Sequence, residues 1–176
     1  MDVKKAILET RSVRKYKPGK VSEELLMELI DAARLAPSGN NAQPWKFRIM
    51  ANEADKKLLK DNKIFKQGFV YDAPAVILCC ADPGAYPAEK FDAGTDDPNI
   101  LRAVRDLSFA AQNLVLRATE LGLGTCYIGS MDKQKIKELL GLPERYVDPY
   151  FIAVGYAADK PSKKNRKMMD EILVRA

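Results

Sequence analysis

Two short segments hold more polar groups than a scaffold alone demands. Arg11-Ser12-x-Arg14 places two guanidinium groups and a hydroxyl within four residues. Such a set is rich in donors and poor in acceptors, which suits phosphate oxygens or an anionic heterocycle. Ser38-Gly39-Asn40-Asn41-x-Gln43 is bracketed by Pro37 and Pro44. Amides and a hydroxyl on a stiffened loop could read both donor and acceptor edges of a ring system. Each segment also has a plainer reading, a chance basic cluster and a turn-rich connector.

Charge distribution bears on the choice. Lys and Arg number 29 against 24 Asp and Glu, a net charge of +5. Residues 1–20 carry a net +5 and residues 160–176 a net +4, leaving −4 for everything between. Either both termini are solvated charge runs, or both converge on one anion. Nucleic acid is not expected as a partner, because no basic stripe is interleaved with aromatics and no zinc, helix-turn-helix or RNA-binding signature occurs.

The chain has no histidine. That removes a Ser-His-Asp triad, a Cys-His pair, a His-ligated metal site and a histidine base; no metal site is expected. Cys79 and Cys80 are adjacent in an apolar run and Cys126 is the third cysteine, so a disulfide framework is not expected and a reducing compartment fits. Cys126 reads as a small buried filler. Gly122-x-Gly124 with Gly129 is no dinucleotide fingerprint, and no phosphate-binding P-loop occurs. Any enzyme built on this chain must therefore borrow its reactivity from a cofactor.

The elements that position these residues follow from caps and periodicity. At 176 residues, 47% apolar and 30% charged, the chain reads as one domain over residues 1–176. Asp2 caps a short helix, and Ser22 caps a second with Leu25, Leu26, Leu29, Ile30 and Ala33 on one face, ending by Ala36. A strand over Lys46–Met50 precedes a helix over 53–61 and a short one near 64–71. Ala75–Cys80 reads as a fully buried strand. Residues 82–99, rich in Pro, Gly and Asp, read as an irregular loop or lid. The longest helix runs from Ile100 to Leu121 on a stripe containing Leu107, Ala111 and Leu114, broad enough to suit a dimer core. A strand over Thr125–Ser130, a helix from Asp132 to Leu140, a strand over Tyr150–Tyr156 and a basic tail over 157–176 complete it. The pattern predicts an α+β or α/β sandwich around a central sheet. No apolar run exceeds the nine residues of Ala73–Ala81, against roughly 20 for a membrane span. The N-terminus has no apolar signal-peptide core. A soluble, cytoplasmic protein is the default expectation.

Taken together, the motifs resemble those of the nitroreductase family of FMN-dependent oxidoreductases. Arg11-Ser12-Val13-Arg14-Lys15-Tyr16 is followed by Ala36-Pro37-Ser38-Gly39-Asn40-Asn41-Ala42-Gln43-Pro44-Trp45. Then come Asp72-Ala73-Pro74-Ala75-Val76-Ile77, Gln112-Asn113-Leu114, Leu121-Gly122-Leu123-Gly124-Thr125-Cys126-Tyr127-Ile128-Gly129 and Val154-Gly155-Tyr156. The series covers nearly the whole chain in the family's order.

The resemblance implies an α+β sandwich with a central, mostly antiparallel sheet flanked by helices. It implies a homodimer whose FMN sites draw on both subunits, with NADH or NADPH as co-substrate and a nitroaromatic, a quinone or a similar electron-poor acceptor. It places Arg11 and Ser12 at the FMN phosphate and ribityl chain, and Arg14 at the pyrimidine edge of the flavin. Pro37, Ser38, Gly39, Asn41 and Gln43 match the loop lent by the partner, and Tyr127, Ile128, Gly129 and Ser130 the strand along the flavin. Lys164 and Arg166 match a basic pair in the tail that closes on the phosphate. Lys66 falls where an Asn often touches the ring, and Thr10 where many members have Arg. No side chain is expected to act as catalytic nucleophile or base. Those two departures keep two further readings open, an FMN-binding or sensing protein without efficient turnover and a specialised flavin chemistry such as reductive dehalogenation.

Overall fold

The computed structural model describes residues 1–87, 98–162 and 165–174. Among these residues, five α-helices, α1 (Val3–Glu9), α2 (Glu23–Arg34), α3 (Glu53–Asp61), α4 (Pro98–Glu120) and α5 (Lys133–Leu140), accompany four strands, β1 (Trp45–Met50), β2 (Ala75–Ala81), β3 (Gly124–Ile128) and β4 (Val147–Gly155). The helix starts obey their caps. Asp2, Ser22, Asn52 and Asp132 each accept a hydrogen bond from a backbone N–H three residues on, satisfying donors that the first turn leaves unpaired.

The strands form one antiparallel sheet in the order β1-β2-β4-β3. Side chains alternate across it. Ala75, Ile77, Cys79 and Ala81 of β2 join a core with Leu26 and Leu29 of α2 and Leu107, Ala111 and Leu114 of α4. Val76, Leu78 and Cys80 join the opposite core with Leu59 of α3, Ile136 of α5 and Phe151 of β4. Both faces of β2 are covered, which is why its sequence is apolar without alternation. The fold is thus the expected α+β sandwich.

Several boundaries move and two expectations are corrected. The predicted short helix near 64–71 is instead an isolated bridge from Phe65 to Met131 and a 3₁₀ turn over Gly68–Asp72. A left-handed Lys63, with φ of 51°, interrupts helical continuation there. Residues 82–99 are not a loop throughout, for Asp82, Pro83 and Tyr86 are buried around a 3₁₀ turn at Pro83–Ala85 and α4 begins at Pro98; the lid expectation for 88–97 lies outside the described residues. The breadth of the apolar stripe on α4 does not require a second subunit. Ala103, Leu107, Ala110, Ala111, Leu114 and Ala118 are fully buried within one chain, because α4 packs on α2 and on the sheet.

Candidate functional site

The basic segment after α1 is strapped across the end of the sheet. Ser12 forms a parallel bridge to Thr125, and Val13 N donates to Thr125 O at 2.8 Å. Further on, Lys17 N donates to Tyr156 O at 2.8 Å and Ala158 N to Lys15 O at 2.9 Å. Two glycines paired across the strands, Gly124 and Gly155, make room for this strap. A Cβ on Gly124 would meet Val13, and one on Gly155 would meet Pro74 and Tyr16. The Tyr16 hydroxyl donates to Val13 O at 2.9 Å, and burial holds its pKa well above the ordinary phenol value.

Arg11 turns back onto the end of α1, its Nη1 donating to the Leu8 and Thr10 carbonyls at 2.7 Å each. These are carbonyls at the negative end of the helix. Thr10 donates to Ala6 O at 2.8 Å and lies 3.1 Å from the Thr119 hydroxyl, which ties α1 to α4. Arg14 is exposed, with Nη1 3.4 Å from Ser12 O.

Between the strap, β3 and the C-terminal segment lies a cavity of about 620 Å³. Arg11, Ser12 and Arg14 line it from the strap, Thr125 and Tyr127 from β3, Gln112 from α4 and Arg166 from the tail. Three arginines line this space and, among the described residues, no carboxylate does. The two ends of the chain therefore meet, as the charge distribution suggested. Lys164 lies outside the described residues. Gln112 and Tyr127 also border a second cavity of about 440 Å³ that Ile128 and Gly129 line together with Lys133, Asp148 and Tyr150. A third cavity of about 820 Å³ borders the far side of Arg11, but Asp2, Glu9 and Asp159 stand among its lysines and it lacks the one-sided charge.

The donor set of the 620 Å³ cavity fits a phosphorylated ligand. A carboxylate-free group of arginines with a hydroxyl matches a dianion, and its volume lies within the range of small-molecule sites. Two thiols of the sheet offer no rival nucleophile, for burial pushes the Cys79 thiol up and pushes Cys80 up to about 12. Cys126, buried as well, is among the residues that line the cavity. Among the described residues no three His, Cys, Asp or Glu side chains are grouped to hold a metal ion.

The structure does not bring the other polar loop into this cavity. Pro37, Ser38, Gly39, Asn41 and Gln43 line none of the three cavities; they pack instead near the N-terminal half of α4. Gly39 N donates to Asp106 Oδ2 at 2.7 Å, about two turns of helix before Gln112. Inside the loop Gln43 N donates to Ser38 Oγ at 3.0 Å. Lys66 and Ser130 meet through their backbones, N to O at 3.5 Å, and border none of these cavities. Asp106 escaped the sequence reading, although its place among Ala103, Leu107 and Ala110 on the apolar stripe is the mark of a buried carboxylate.

The architecture is a nitroreductase-like α+β sandwich with a cation-lined cleft beside its antiparallel sheet. Known proteins agree. The family model described as Nitroreductase family matches residues 7–64 and 51–156. A candidate NADH dehydrogenase/NAD(P)H nitroreductase of Methanothermobacter thermautotrophicus is 33% identical over 170 residues, spanning 94% of this chain and 82% of that one. An FMN reductase (NAD(P)H) of Bacillus subtilis is 30% identical over 175 residues, spanning 94% and 70%. A nitroreductase family protein of Clostridium difficile superposes with a TM-score of 0.84 at 27% identity, over 99% of this chain and 98% of that one. A candidate nitroreductase of Exiguobacterium sibiricum, solved in complex with FMN, superposes with a TM-score of 0.88 over 100% and 98%, and at 23% identity this last is a likeness of fold. The chain belongs to the nitroreductase family, and the protein is an oxidoreductase. Among the described residues no helix is long and apolar enough to cross a membrane.

Proposed function

We propose that the protein is a homodimeric, FMN-dependent NAD(P)H oxidoreductase acting on an electron-poor acceptor such as a nitroaromatic or a quinone. The observation that carries this reading is the convergence of Arg11, Arg14 and Arg166 with Ser12 on a cavity that no described carboxylate lines. When bound, FMN supplies the two-electron chemistry, accepting a hydride from NAD(P)H and passing two electrons to the second substrate after the nicotinamide has left.

The protein's part is to bind and to polarise. Arg11, Arg166 and Lys164 of the tail would neutralise the phosphate, with Ser12 at the ribityl chain. Arg14 would bring a fixed positive charge to the pyrimidine edge, where reduction builds negative charge, and so favour the reduced form. Tyr127, Ile128, Gly129 and Ser130 would pass along the flavin ring, with Lys66 beside Ser130. Pro37, Ser38, Gly39, Asn41 and Gln43 would serve the second subunit's site, in keeping with their position away from the arginine cavity of their own chain. No side-chain base is required.

The absorption spectrum of the purified protein, before and after NADH or NADPH and then with a nitroaromatic and a quinone, tests the proposal. A yellow protein that either nucleotide bleaches and an acceptor recolours is expected. A yellow protein that no nucleotide bleaches would be an FMN-binding or sensing protein instead. A colourless protein that takes up no FMN would overturn the assignment of the cavity.

A further inference from the structure

Asp106 is a fully buried carboxylate on the apolar side of α4, at a place where periodicity calls for a hydrocarbon. A charge there is costly unless every lone pair is engaged. Three donors engage it, Gly39 N at 2.7 Å, Arg105 Nε at 3.0 Å and the Tyr86 hydroxyl. The Tyr86 ring in turn lies beneath the Arg102 guanidinium, 4.5 Å from centroid to carbon.

The group it holds is an unusual one. Just beyond Gly39, the residues Asn40, Asn41 and Gln43 all have left-handed backbones, with φ of 54°, 53° and 50°. Three such non-glycine residues in four positions persist only where the surroundings over-determine them. Hydrogen bonds within the loop, such as Asn41 N to Ser38 O at 3.1 Å and Ala42 N to Gly39 O at 3.0 Å, are joined by others. Gly39 N is held by Asp106 at one end, Pro44 O accepts from Asp82 N at 2.8 Å at the other, and Gln43 N is held by Ser38 Oγ between. The Asp106 bond ties the loop to the long helix.

We propose that Asp106 is a positioning residue for the cofactor site of a second copy of this chain. It acts through Gly39 and Tyr86 to keep residues 38–43 in the strained shape that the partner's FMN meets, and it touches neither cofactor nor substrate. This rests on the dimeric FMN reading above.

Subunit complementation separates the proposal from a merely structural role. Asp106→Asn weakens FMN binding roughly tenfold or more, the scale of a lost hydrogen bond to a charged group. Tyr86→Phe, which leaves the carboxylate ionised, weakens it a few-fold and serves should Asp106→Asn not fold. In a symmetric dimer each loop faces the partner's site. A mixed dimer of one Asp106→Asn or Tyr86→Phe chain with one Arg11→Ala/Arg166→Ala chain therefore has one intact site and one doubly impaired site. At an FMN concentration that saturates only the wild type, it should recover about half of the wild-type flavin content. Wild-type affinity in Asp106→Asn and Tyr86→Phe, or mixed dimers that recover nothing, would overturn the proposal while a yellow, dimeric wild type still stands. A wild type that is colourless or monomeric would remove the underlying reading itself.

Discussion

Val13 and Gly124 approach so closely that a Cβ on residue 124 would lie 2.6 Å from Val13 Cγ2 and 2.9 Å from Val13 Cβ. No rotamer of Val13 clears its own Cβ, so the strap must move if residue 124 gains a methyl group. Gly124→Ala should cost about 1–3 kcal/mol, the range of core overpacking, and should displace Arg11, Ser12 and Arg14 together. Thermal melting and FMN titration would both show it, and adding Val13→Ala should restore only part of each, because alanine keeps the Cβ that residue 124 would meet at 2.9 Å. A Gly124→Ala protein with unchanged affinity would mean that the strap does not set the cation geometry.

Arg14 is exposed, with Nη1 3.4 Å from Ser12 O. Arg14→Ala should leave stability nearly unchanged and lower the flavin's two-electron potential by roughly 20–40 mV, since about 30 mV corresponds to 1.4 kcal/mol. A spectroelectrochemical titration measures this directly. An unchanged potential would strip Arg14 of its role at the pyrimidine edge.

Leu114 and Phe109 lie on the same helix and predict opposite outcomes. Leu114 is fully buried among its own chain's side chains, so Leu114→Glu should unfold the protein, at a cost above ~3 kcal/mol. Phe109 remains 44% exposed and Leu101 57% exposed on one chain. Phe109→Glu should yield a folded monomer that has lost its flavin, seen by sedimentation and by absorbance. A monomer that stays yellow would contradict a site shared between subunits.

Asp106 also makes a prediction about acid. Burial alone would raise its pKa, but hydrogen bonds from Tyr86, Gly39 and Arg105 outweigh that and hold the carboxyl below its ordinary value. The unfolded chain then binds the proton more readily than the folded one. The stabilisation is complete above the unfolded pKa of about 3.9, and it is lost as pH falls through the lower folded value. Chemical denaturation at a series of pH values should show the acid limb of stability flattened in Asp106→Asn. An equal slope in both proteins would mean that the hydrogen bonds do not favour the ionised form.

What the sequence disclosed and what it withheld have physical reasons. Caps at Asp2, Ser22 and Asp132 are local chemistry, and they mark helix starts without knowledge of the rest of the chain. The apolar run of β2 likewise announces burial on both faces. By contrast, residues 64–71 carry a helical pattern that the bridge between Phe65 and Met131 overrides, a contact between distant segments. The arginine cluster was legible because its members differ from their neighbours in kind. Asp106 was not read, although the apolar stripe marks it as buried, because the donors from Gly39 and Tyr86 that make its burial tolerable come from distant segments. The same limit applied to α4, much of whose apolar breadth answers to α2 and the sheet within one chain.

The strap that bears Arg11 and Ser12 has one more effect. In the order β1-β2-β4-β3, strand β3 is an outer one, and outer strands offer unpaired backbone groups on which another molecule's strand can grow. Ser12 and Val13 occupy that margin at Thr125. Peeling this stretch away would uncover a template for fibrillar or domain-swapped growth, so the stretch that carries Arg11 and Ser12 doubles as the molecule's guard against self-polymerisation.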